Sequence, residues 1–326
     1  MSEYPLVSVI IPCKDGERHL AAAIESCLSQ TWKNMEVIVV NNGSSDRSLS
    51  IAESYRCRGV TTLFCERRGA SAARNVGLAR STGEYIQFLD ADDILHPRKV
   101  ELQLARLSAE GRGTTAICGW GFFQDSIERV TPSDTLMFRD HEPRDFLVQL
   151  WSARTMMATC AWLTDREVIE KAGPWSEDLA MDQDGEFFAR VALSSRRIVC
   201  CDGTLAFYRR QPGVTTVSRR RDLEALESAF VACERAATAL LATEDSRRTR
   251  LAAAARYLYF VHIGYPGVPE LVTEAEKRIR ALGAEVKPPK GSLKYTAVSM
   301  LLGWKLARRI QLRWLQHKNG YAPVFD

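Results

Sequence analysis

LVSVIIPCKDGERHLAAAIESCLSQTWKNMEVIVV, residues 6–40, is the stretch that decides the fold class of this chain. It opens with an apolar run of strand length (6–12) and closes with a second one (36–40). Between the two runs, apolar residues such as Leu20, Ile24 and Leu28 recur at the spacing of one helix face. Buried parallel strands are apolar on both faces, so the stretch predicts a strand–helix–strand unit.

The same alternation continues beyond residue 40. Further predicted strands are 60–64, 85–89 and 114–123, and predicted helices are 45–56, 70–80, 183–193, 223–242, 246–262, 268–282 and 293–317. The pattern predicts an α/β fold with a Rossmann-like, doubly wound, mostly parallel sheet and a helical C-terminal region. The predicted segments are two halves of one α/β domain (1–110 and 111–221), a helical region (222–286), and a basic linker with an amphipathic helix (287–326).

Composition narrows the class of protein. The 326 residues are 46% hydrophobic and 26% charged, which is typical of a globular protein. The net charge of +4 is too small to indicate nucleic acid, and no nucleic-acid-binding motif accompanies it. The nine cysteines show no metal-binding spacing, and the longest apolar run is far shorter than the ~20 residues of a membrane span. We therefore expect a cytoplasmic protein, or one that is peripheral at the inner face of the membrane, with no nucleic-acid partner.

Three carboxylates follow the fourth predicted strand, in the sequence DADD (90–93). Asp90, Asp92 and Asp93 repel one another by roughly 1–4 kcal/mol per pair near a protein surface. One interpretation is a solvated loop at a strand end. The other is a site for Mg²⁺ or Mn²⁺, because hard oxygen ligands suit these cations and substrate phosphates can complete the coordination. Loops 12–16 and 41–46 also follow buried strands, so all three are expected at one edge of the sheet.

Residues 5 to about 105 resemble the nucleotide-sugar half of a family 2 glycosyltransferase. The resemblance is carried by VSVIIPCKDGERHL, VIVVNNGSSD, RRGASAARNVGLA and GEYIQFLDADD, in this order, and continues loosely through AGPWSEDLAMDQDGEFFARV and FYRRQPGVT. It implies a GT-A fold, a nucleotide-sugar donor such as a UDP-sugar, a glycan or lipid-linked acceptor, and transfer with inversion at the sugar carbon.

The resemblance also assigns donor-binding residues. Pro12, Lys14 and Asp15 are placed near the base and ribose, Arg74 at the nucleotide, Asp90 toward the ribose, and Asp92, together with Asp90, at a Mn²⁺ or Mg²⁺ ion on the diphosphate. Asn41 and Asn42 stand where the family usually has at least one Asp that binds the N3–H of uracil. An Asn carbonyl still accepts from that N–H, but without the assistance of a charge.

A base for the acceptor hydroxyl must come from another segment than the metal loop. The segment MDQDGEFFARV (181–191) supplies Asp182, Asp184 and Glu186, and the resemblance places Asp184 at the base position with the other two as alternatives. Asp182 or Asp184 could instead cap a helix. A nucleotidyltransferase is disfavoured, since PCKDGERHL replaces its glycine-rich loop. A non-catalytic nucleotide-sugar-binding protein remains the alternative, because both asparagines depart from the family pattern.

The C-terminal segment is basic. No Asp or Glu occurs from Val286 to Phe325. On a helical wheel, Lys305, Arg309, Arg313 and Gln316 share one face, and Leu306, Ala307, Ile310 and Trp314 share another. This pattern fits an interfacial membrane helix through 293–317 and equally a helix that packs its apolar face on the domain.

Overall fold

The computed structural model describes residues 4–133, 137–211, 220–289 and 293–319. The first third forms the predicted alternation of strands and helices. Its elements are β1 (Val7–Cys13), α1 (Leu20–Leu28), β2 (Met35–Asn41), α2 (Ser48–Ser54), β3 (Val60–Phe64), α3 (Ala70–Arg80) and β4 (Tyr85–Phe88). All residues of β1 and β4 are buried, as strands with apolar side chains on both faces require.

The middle of the chain contains the predicted strand at 114–123 and the predicted helix at 183–193, together with further elements that the sequence pattern did not resolve. It comprises β5 (Ile94–Leu95), α4 (Lys99–Glu110), β6 (Thr114–Phe123), β7 (Thr131–Pro132), α5 (Pro143–Ala153), β8 (Trp162–Asp165), α6 (Arg166–Ala172), α7 (Gln183–Ser194) and β9 (Arg197–Arg209). The helical C-terminal part is α8 (Leu223–Thr243), α9 (Arg247–Gly264), α10 (Pro269–Ala281), α11 (Leu293–Leu302) and α12 (Trp304–Asn319). The single helix predicted at 293–317 is wrong in one respect: Gly303, with a φ of +78°, divides it into two.

The described residues form one nine-stranded sheet with the order β3-β2-β1-β4-β8-β6-β9-β5, and β7 pairs with β6. The first four strands are mutually parallel, as is the pair β6–β9. The antiparallel pairings are β4–β8, β6–β8, β5–β9 and β6–β7. Strands β1, β2 and β4 therefore end at the same edge of the sheet, where their loops carry the predicted site residues.

Helix α3 packs directly on the sheet through a glycine. A Cβ atom on Gly77 would lie 2.5 Å from Ile10 Cγ2 and 3.1 Å from Val40 Cγ2. No side chain fits there without movement of the helix, so this glycine fixes the distance of α3 from β1 and β2.

A charged side chain lies inside the first half of the chain. Lys99 is fully buried, and its Nζ donates to Gln87 Oε1, to Gln103 Oε1 at 2.6 Å and to the Trp162 carbonyl oxygen at 3.4 Å. Burial lowers the pKa of this amine. The three acceptors satisfy the donors that burial would otherwise leave unpaired.

The chain divides into two compact units. The first comprises residues 1–150, 155–177 and 183–213, and the second comprises residues 151–154, 178–182 and 214–326. In the second unit α8, α9 and α10 pack around a core that includes Leu226, Ala253, Phe260 and Val272. The four-segment division predicted from the sequence stays a prediction. Within the described residues, no helix is both long and apolar enough to cross a bilayer.

The cysteines are unpaired. All nine are free; Cys57 is exposed and the other eight are buried. Burial raises the pKa of the Cys27 thiol to about 12 and that of Cys118 to about 11.

Candidate active site

The DADD loop begins at the end of β4 and is anchored by an arginine from α3. Arg74 Nη2 donates to Asp90 Oδ1 at 2.6 Å, and the exposed fractions of the two side chains are 7% and 31%. The Arg74 guanidinium also lies over the ring of the buried Trp175, 4.3 Å from its centroid. Arg74 is therefore held on two sides, and it fixes the position of the Asp90 carboxylate.

The next two carboxylates lie progressively deeper. Asp92 Oδ2 accepts from Gln211 Nε2 at 2.9 Å, while Asp93 is buried and its Oδ1 accepts from the backbone N–H of Arg209 at 2.9 Å. Burial raises the pKa of Asp92, and the charge of Asp90 raises it further. Burial and then the charges of Asp92 and Asp90 raise the pKa of Asp93 well above its ordinary value. The loop thus concentrates negative charge that a bound cation would stabilise.

Arg209 at the end of β9 holds the backbone of this loop. Its Nε donates to the Asp92 carbonyl oxygen at 2.8 Å, its Nη1 donates to the Gln124 carbonyl oxygen, and the guanidinium lies 4.2 Å from the centroid of Phe123. The side chain is buried. Because its donors are directed to backbone carbonyls, Arg209 acts as a structural support for the loop.

The end of β1 carries the first predicted donor-binding residues. Pro12 is buried in β1, and Lys14 and Asp15 are exposed in the loop that follows. Asp15 adopts a φ of +50°, and its Oδ1 accepts from Ser45 N at 2.7 Å and from Ser45 Oγ at 3.1 Å. These bonds join the loop after β1 to the loop after β2.

The two asparagines at the end of β2 differ in their partners. Asn42 Nδ2 donates to the carbonyl oxygens of Cys65 at 3.2 Å and Arg67 at 2.7 Å, and its Oδ1 accepts from Gly69 N at 2.8 Å. Asn41 Oδ1 accepts from Ser44 N at 3.3 Å, and its amide nitrogen has no partner among the described residues. The Asn42 amide is therefore committed to the loop between β3 and α3, while the Asn41 amide retains donor capacity.

The three carboxylates of segment 181–191 also have different surroundings. Glu186 is buried and pairs with Arg190, with 2.7 Å between Oε1 and Nε. Asp182 has a φ of +62° and forms a short ion pair with Arg256. Asp184 lies partly exposed in the first turn of α7, and its carboxylate has no hydrogen-bond or ion-pair partner in the described part of the chain. Of the three, Asp184 is the carboxylate with oxygens left for a substrate.

The pKa of Tyr208 is affected both by Asp184 and by the DADD loop. Tyr208 lies in β9, and burial raises its pKa well above the ordinary value. The charges of Asp93, Asp90, Asp184 and Asp92 raise the pKa further, in that order. Hydrogen bonds link the same two segments, because Arg74 donates through Nη2 to Asp90 at 2.6 Å and through Nη1 to Oε1 of Gln183, the residue before Asp184, at 3.5 Å.

Comparison with known proteins identifies the family of this chain. The family described as glycosyl transferase family 2 matches residues 8–173, about half of the chain. The chain belongs to glycosyltransferase family 2. An uncharacterized glycosyltransferase of Rickettsia typhi is 39% identical over 117 residues, which are 36% of this chain and 36% of that protein. The uncharacterized glycosyltransferase EpsJ of Bacillus subtilis is 32% identical over 221 residues, 65% of this chain and 63% of that protein.

The matched regions therefore span from 36% to 63% of the length of these two relatives. The crystal structures of S. aureus TarS 1–349 in complex with UDP and with UDP-GlcNAc are similar to this chain, with TM-scores of 0.58 and 0.59. Their identities are 15% and 16%, and each match covers 85% of this chain and 88% of the TarS chain. At these identities the similarity shows the fold alone, and it confirms the predicted family 2 fold, an α/β GT-A fold with a helical C-terminal region.

The donor chemistry of the DADD loop fits a hard divalent cation. Asp90 and Asp92 are partly exposed and offer carboxylate oxygens, and burial followed by the charge of Asp90 raises the pKa of Asp92. The described residues contain no group of three or more His, Cys, Asp or Glu side chains arranged to hold a metal alone. Two carboxylates with the other positions left to substrate phosphates and water are a common Mg²⁺ arrangement. Asp90 and Asp92 are the family 2 residues here that could hold Mn²⁺ or Mg²⁺.

Three residues of the site were not singled out in the sequence: Gln183, Tyr208 and Gln211. Gln183 Oε1 accepts from Ser71 Oγ at 2.9 Å, across 112 positions of the chain, and Gln211 meets Asp92 across 119 positions. Tyr208 and Gln211 lie in FYRRQPGVT, a segment in which the resemblance to family 2 continues. The resemblance assigned no role to either residue.

Proposed function

We propose that this chain transfers a sugar from a nucleoside-diphosphate sugar, with UDP as the first candidate nucleotide, to a hydroxyl of a glycan or lipid-linked acceptor. Membership of family 2 supports the reaction class, and the solved TarS structures, which hold UDP and UDP-GlcNAc, support the nucleotide. The observation that carries the proposal is that Arg74 holds Asp90 through Nη2 and Gln183, the residue before Asp184, through Nη1, so the loop of Asp90 and Asp92 lies next to the segment of Asp184. We propose that the reaction is a step in the synthesis of a polysaccharide of the cell envelope.

The donor would lie along the carboxyl ends of β1, β2 and β4. Asn41 is proposed to contact the base, since its amide nitrogen has no partner among the described residues. Lys14 and Asp15 are exposed beside it and are proposed to border the base and ribose. Arg74 holds Asp90 in the orientation in which it can contact the ribose or a cation.

Asp184 is proposed as the general base. Its carboxylate would take the proton of the acceptor hydroxyl while the hydroxyl oxygen forms a bond to the anomeric carbon of the sugar. The bond from that carbon to the diphosphate oxygen breaks, and the electron pair leaves with the nucleoside diphosphate. Because attack comes from the side opposite the leaving group, the configuration inverts.

Mn²⁺ or Mg²⁺ bound by Asp90 and Asp92 would stabilise the charge that the diphosphate gains as it leaves. The protein contributes the orientation of the two carboxylates. Arg74 fixes Asp90, and Gln211 and Arg209 fix the side chain and backbone of Asp92.

A thermal-shift panel tests the donor site. UDP, GDP, dTDP, CDP and CMP are each added with and without Mn²⁺. A nucleotide at 100 times its Kd stabilises the folded state by roughly 2.7 kcal/mol. We expect one diphosphate, UDP first, to raise the melting temperature only when metal is present, and Asp92→Asn to abolish that shift. The absence of a shift with every nucleotide would contradict the donor site.

A turnover assay tests whether Asp184 is the general base. Release of UDP from a panel of UDP-sugars is measured with water or added sugars as acceptors. Asp184→Asn should lower the rate by about 100-fold or more while the UDP thermal shift remains. Asp202→Asn, an exposed carboxylate on β9, is the matched control and should leave both unchanged. If D184N keeps the full rate, Asp184 is not the base.

The alternative is a non-catalytic nucleotide-sugar-binding protein. One observation favours it. Neither Asn41 nor Asn42 at the end of β2 supplies a carboxylate to bind the nucleobase, and the Asn42 side chain is already hydrogen-bonded to backbone groups. Nucleotide binding without any UDP release by the unmodified protein would favour this alternative.

A further inference from the structure

The C-terminal end of α11 exposes three consecutive apolar side chains. Met300, Leu301 and Leu302 are 82%, 83% and 54% exposed, and Gly303 follows them with a positive φ. Single exposed apolar residues are common, but a contiguous group of this kind marks a contact surface.

Helix α12 extends this apolar surface. Trp304 packs against the core of the second unit and Ala307 is 2% exposed, so these two residues face inward. Leu306 and Ile310, one turn apart in α12, are each 46% exposed. Leu302, on the other side of the break at Gly303, lines the same cavity as Leu306. Leu302, Leu306 and Ile310 form a largely exposed apolar stripe outside the core of the second unit.

The apolar face predicted for this helix is only partly used in packing on its own unit. Of the apolar wheel face predicted at 306, 307, 310 and 314, Ala307 is buried, whereas Leu306 and Ile310 are not. The side chain of Trp314 lies outside those described. A helix that packed its apolar face on the domain would have buried Leu306 and Ile310.

Cations border the stripe. Arg309 and Arg313 are exposed, and neither has an acidic partner within the described residues. The Arg309 guanidinium lies 5.6 Å from the centroid of the Tyr265 ring. A cavity of about 390 Å³ opens here, lined by Tyr265, Trp304, Lys305 and Arg309 and, toward the stripe, by Leu302 and Leu306. Lys305 pairs with Glu276 at 2.7 Å, which leaves the arginines as the cations available to a partner.

We propose that this surface binds an anionic phospholipid bilayer. We call it the docking surface and define it as Met300, Leu301, Leu302, Leu306, Arg309, Ile310 and Arg313. Its apolar side chains enter the boundary between headgroups and acyl chains, and its arginines contact lipid phosphates. The proposal goes beyond the transfer reaction and does not depend on it.

Charge complementarity favours a bilayer over other occupants. A second copy of the chain would bring the same arginines against one another, in a segment where the sequence has no acidic residue from Val286 to Phe325. An apolar protein partner would cover the leucines but leave the arginines without counter-charges. A bilayer with anionic headgroups supplies both an apolar interior and negative charge.

The test is flotation of the full-length chain with vesicles of phosphatidylcholine alone or with 30% phosphatidylglycerol, at low and high salt. We expect binding to the mixed vesicles at least tenfold tighter than to phosphatidylcholine, and weaker binding at high salt. A triple variant, M300S/L301S/L302S, should lose roughly tenfold or more in affinity for the mixed vesicles. R309Q/R313Q should lose the preference for anionic lipid, by about tenfold.

Leu223→Ser is the matched control, because Leu223 is a 60% exposed leucine in the same unit outside the docking surface. It should bind vesicles as the unmodified chain does. Circular dichroism melting confirms that each variant is folded, which is expected because every substituted side chain is partly or largely exposed. No binding to either vesicle, or equal binding by all variants, overturns the proposal. So does a dimer of the unmodified chain in sedimentation that the triple variant disrupts without any vesicle binding.

Discussion

At the scale of single residues, Asn41 and Asn42 are adjacent in the chain but differ in what their amides bind. Asn42 donates to two carbonyl oxygens and accepts from one N–H, all in the loop between β3 and α3. The Asn41 amide nitrogen has no such partner in the described part of the chain. Replacement by aspartate should therefore change the affinity for the nucleotide at position 41 and the stability of the fold at position 42.

Asn41→Asp should bind UDP roughly tenfold more tightly, because it replaces the amide nitrogen, unpartnered among the described residues, by a carboxylate oxygen, which accepts a charge-assisted bond from the N3–H of uracil. Asn42→Asp should instead lower the free energy of unfolding by about 1–3 kcal/mol, since two donated bonds are lost and a carboxylate faces carbonyl oxygens. Calorimetric titration with UDP and chemical denaturation measure the two effects. Equal UDP affinity in N41D and the unmodified protein would exclude Asn41 from contact with the base.

Arg74 is expected to act through Asp90. Arg74→Lys keeps the charge but loses the planar donors that reach Asp90 while the guanidinium lies on Trp175. We expect the affinity for UDP with Mn²⁺ to fall roughly tenfold and the affinity without metal to change little. Arg80→Lys, at the exposed end of the same helix, is the control. An equal loss with and without Mn²⁺ would show direct contact between Arg74 and the nucleotide, as the family resemblance implies.

These residue-level differences explain how far the sequence could predict the site. It placed polar residues at the ends of β1, β2 and β4, because strand ends are set by local apolar patterns. It could not distinguish Asn41 from Asn42, since the partners of Asn42 lie more than twenty positions further along the chain. Nor could it show that Asp182 and Glu186 are paired with arginines, which depends on tertiary contacts or side-chain orientation.

At the scale of elements, α3 links the packing of the sheet to the site. Gly77 allows the helix to lie directly on β1 and β2, and Arg74 extends from the preceding turn to Asp90. A change in the height of α3 above the sheet would therefore move the group that orients Asp90.

Gly77→Ala should destabilise the protein although alanine is the better helix former. The new Cβ would meet Ile10 and Val40, and overpacking of this kind costs about 1–3 kcal/mol, against about 1 kcal/mol gained in helix propensity. We also expect weaker metal-dependent binding of UDP. Ala79→Gly, on the exposed side of α3, should cost the propensity difference without altering binding. Denaturation and titration with UDP and Mn²⁺ measure both, and a more stable G77A would contradict the close packing.

The elements themselves differ in how well the sequence predicted them. Strands β1, β2 and β4 are rich in buried apolar side chains, and β1–β4 are separated by helices of regular periodicity, so all four were predicted although β3 is partly exposed. In contrast, β8 has four residues and α6 has seven, too few for either periodicity to appear. The break at Gly303 was missed, because one glycine in an apolar run does not by itself predict a positive φ.

At the scale of the whole molecule, three partly or fully buried histidines make stability depend on pH. Burial lowers the pKa values of His19, His141 and His262 below the ordinary value of 6.5. The unfolded chain therefore binds more protons than the folded chain just below that value, and stability is lost as pH falls. The raised pKa values of Asp92 and Asp93 act in the opposite sense, so the expected result is that the histidines contribute a decrease in melting temperature from pH 7 to pH 5.5.

His141 is the most enclosed of the three, and its Nε2 lies 3.0 Å from the Met137 carbonyl oxygen. His141→Gln retains a donor for that carbonyl but does not titrate, so it should reduce the pH dependence of the melting temperature. Calorimetry of both proteins across this range measures the difference. An unchanged slope in H141Q would show that His141 does not contribute.

Cys57 provides a site for selective chemical labelling of the native protein. Cys57 is exposed in the short turn before β3, and eight other thiols are buried. A maleimide fluorophore should therefore attach once to the native chain, at a known position, without any engineered cysteine. The remaining thiols become reactive only when the core unfolds. Chains that carry more than one label are therefore those that have unfolded during the labelling time.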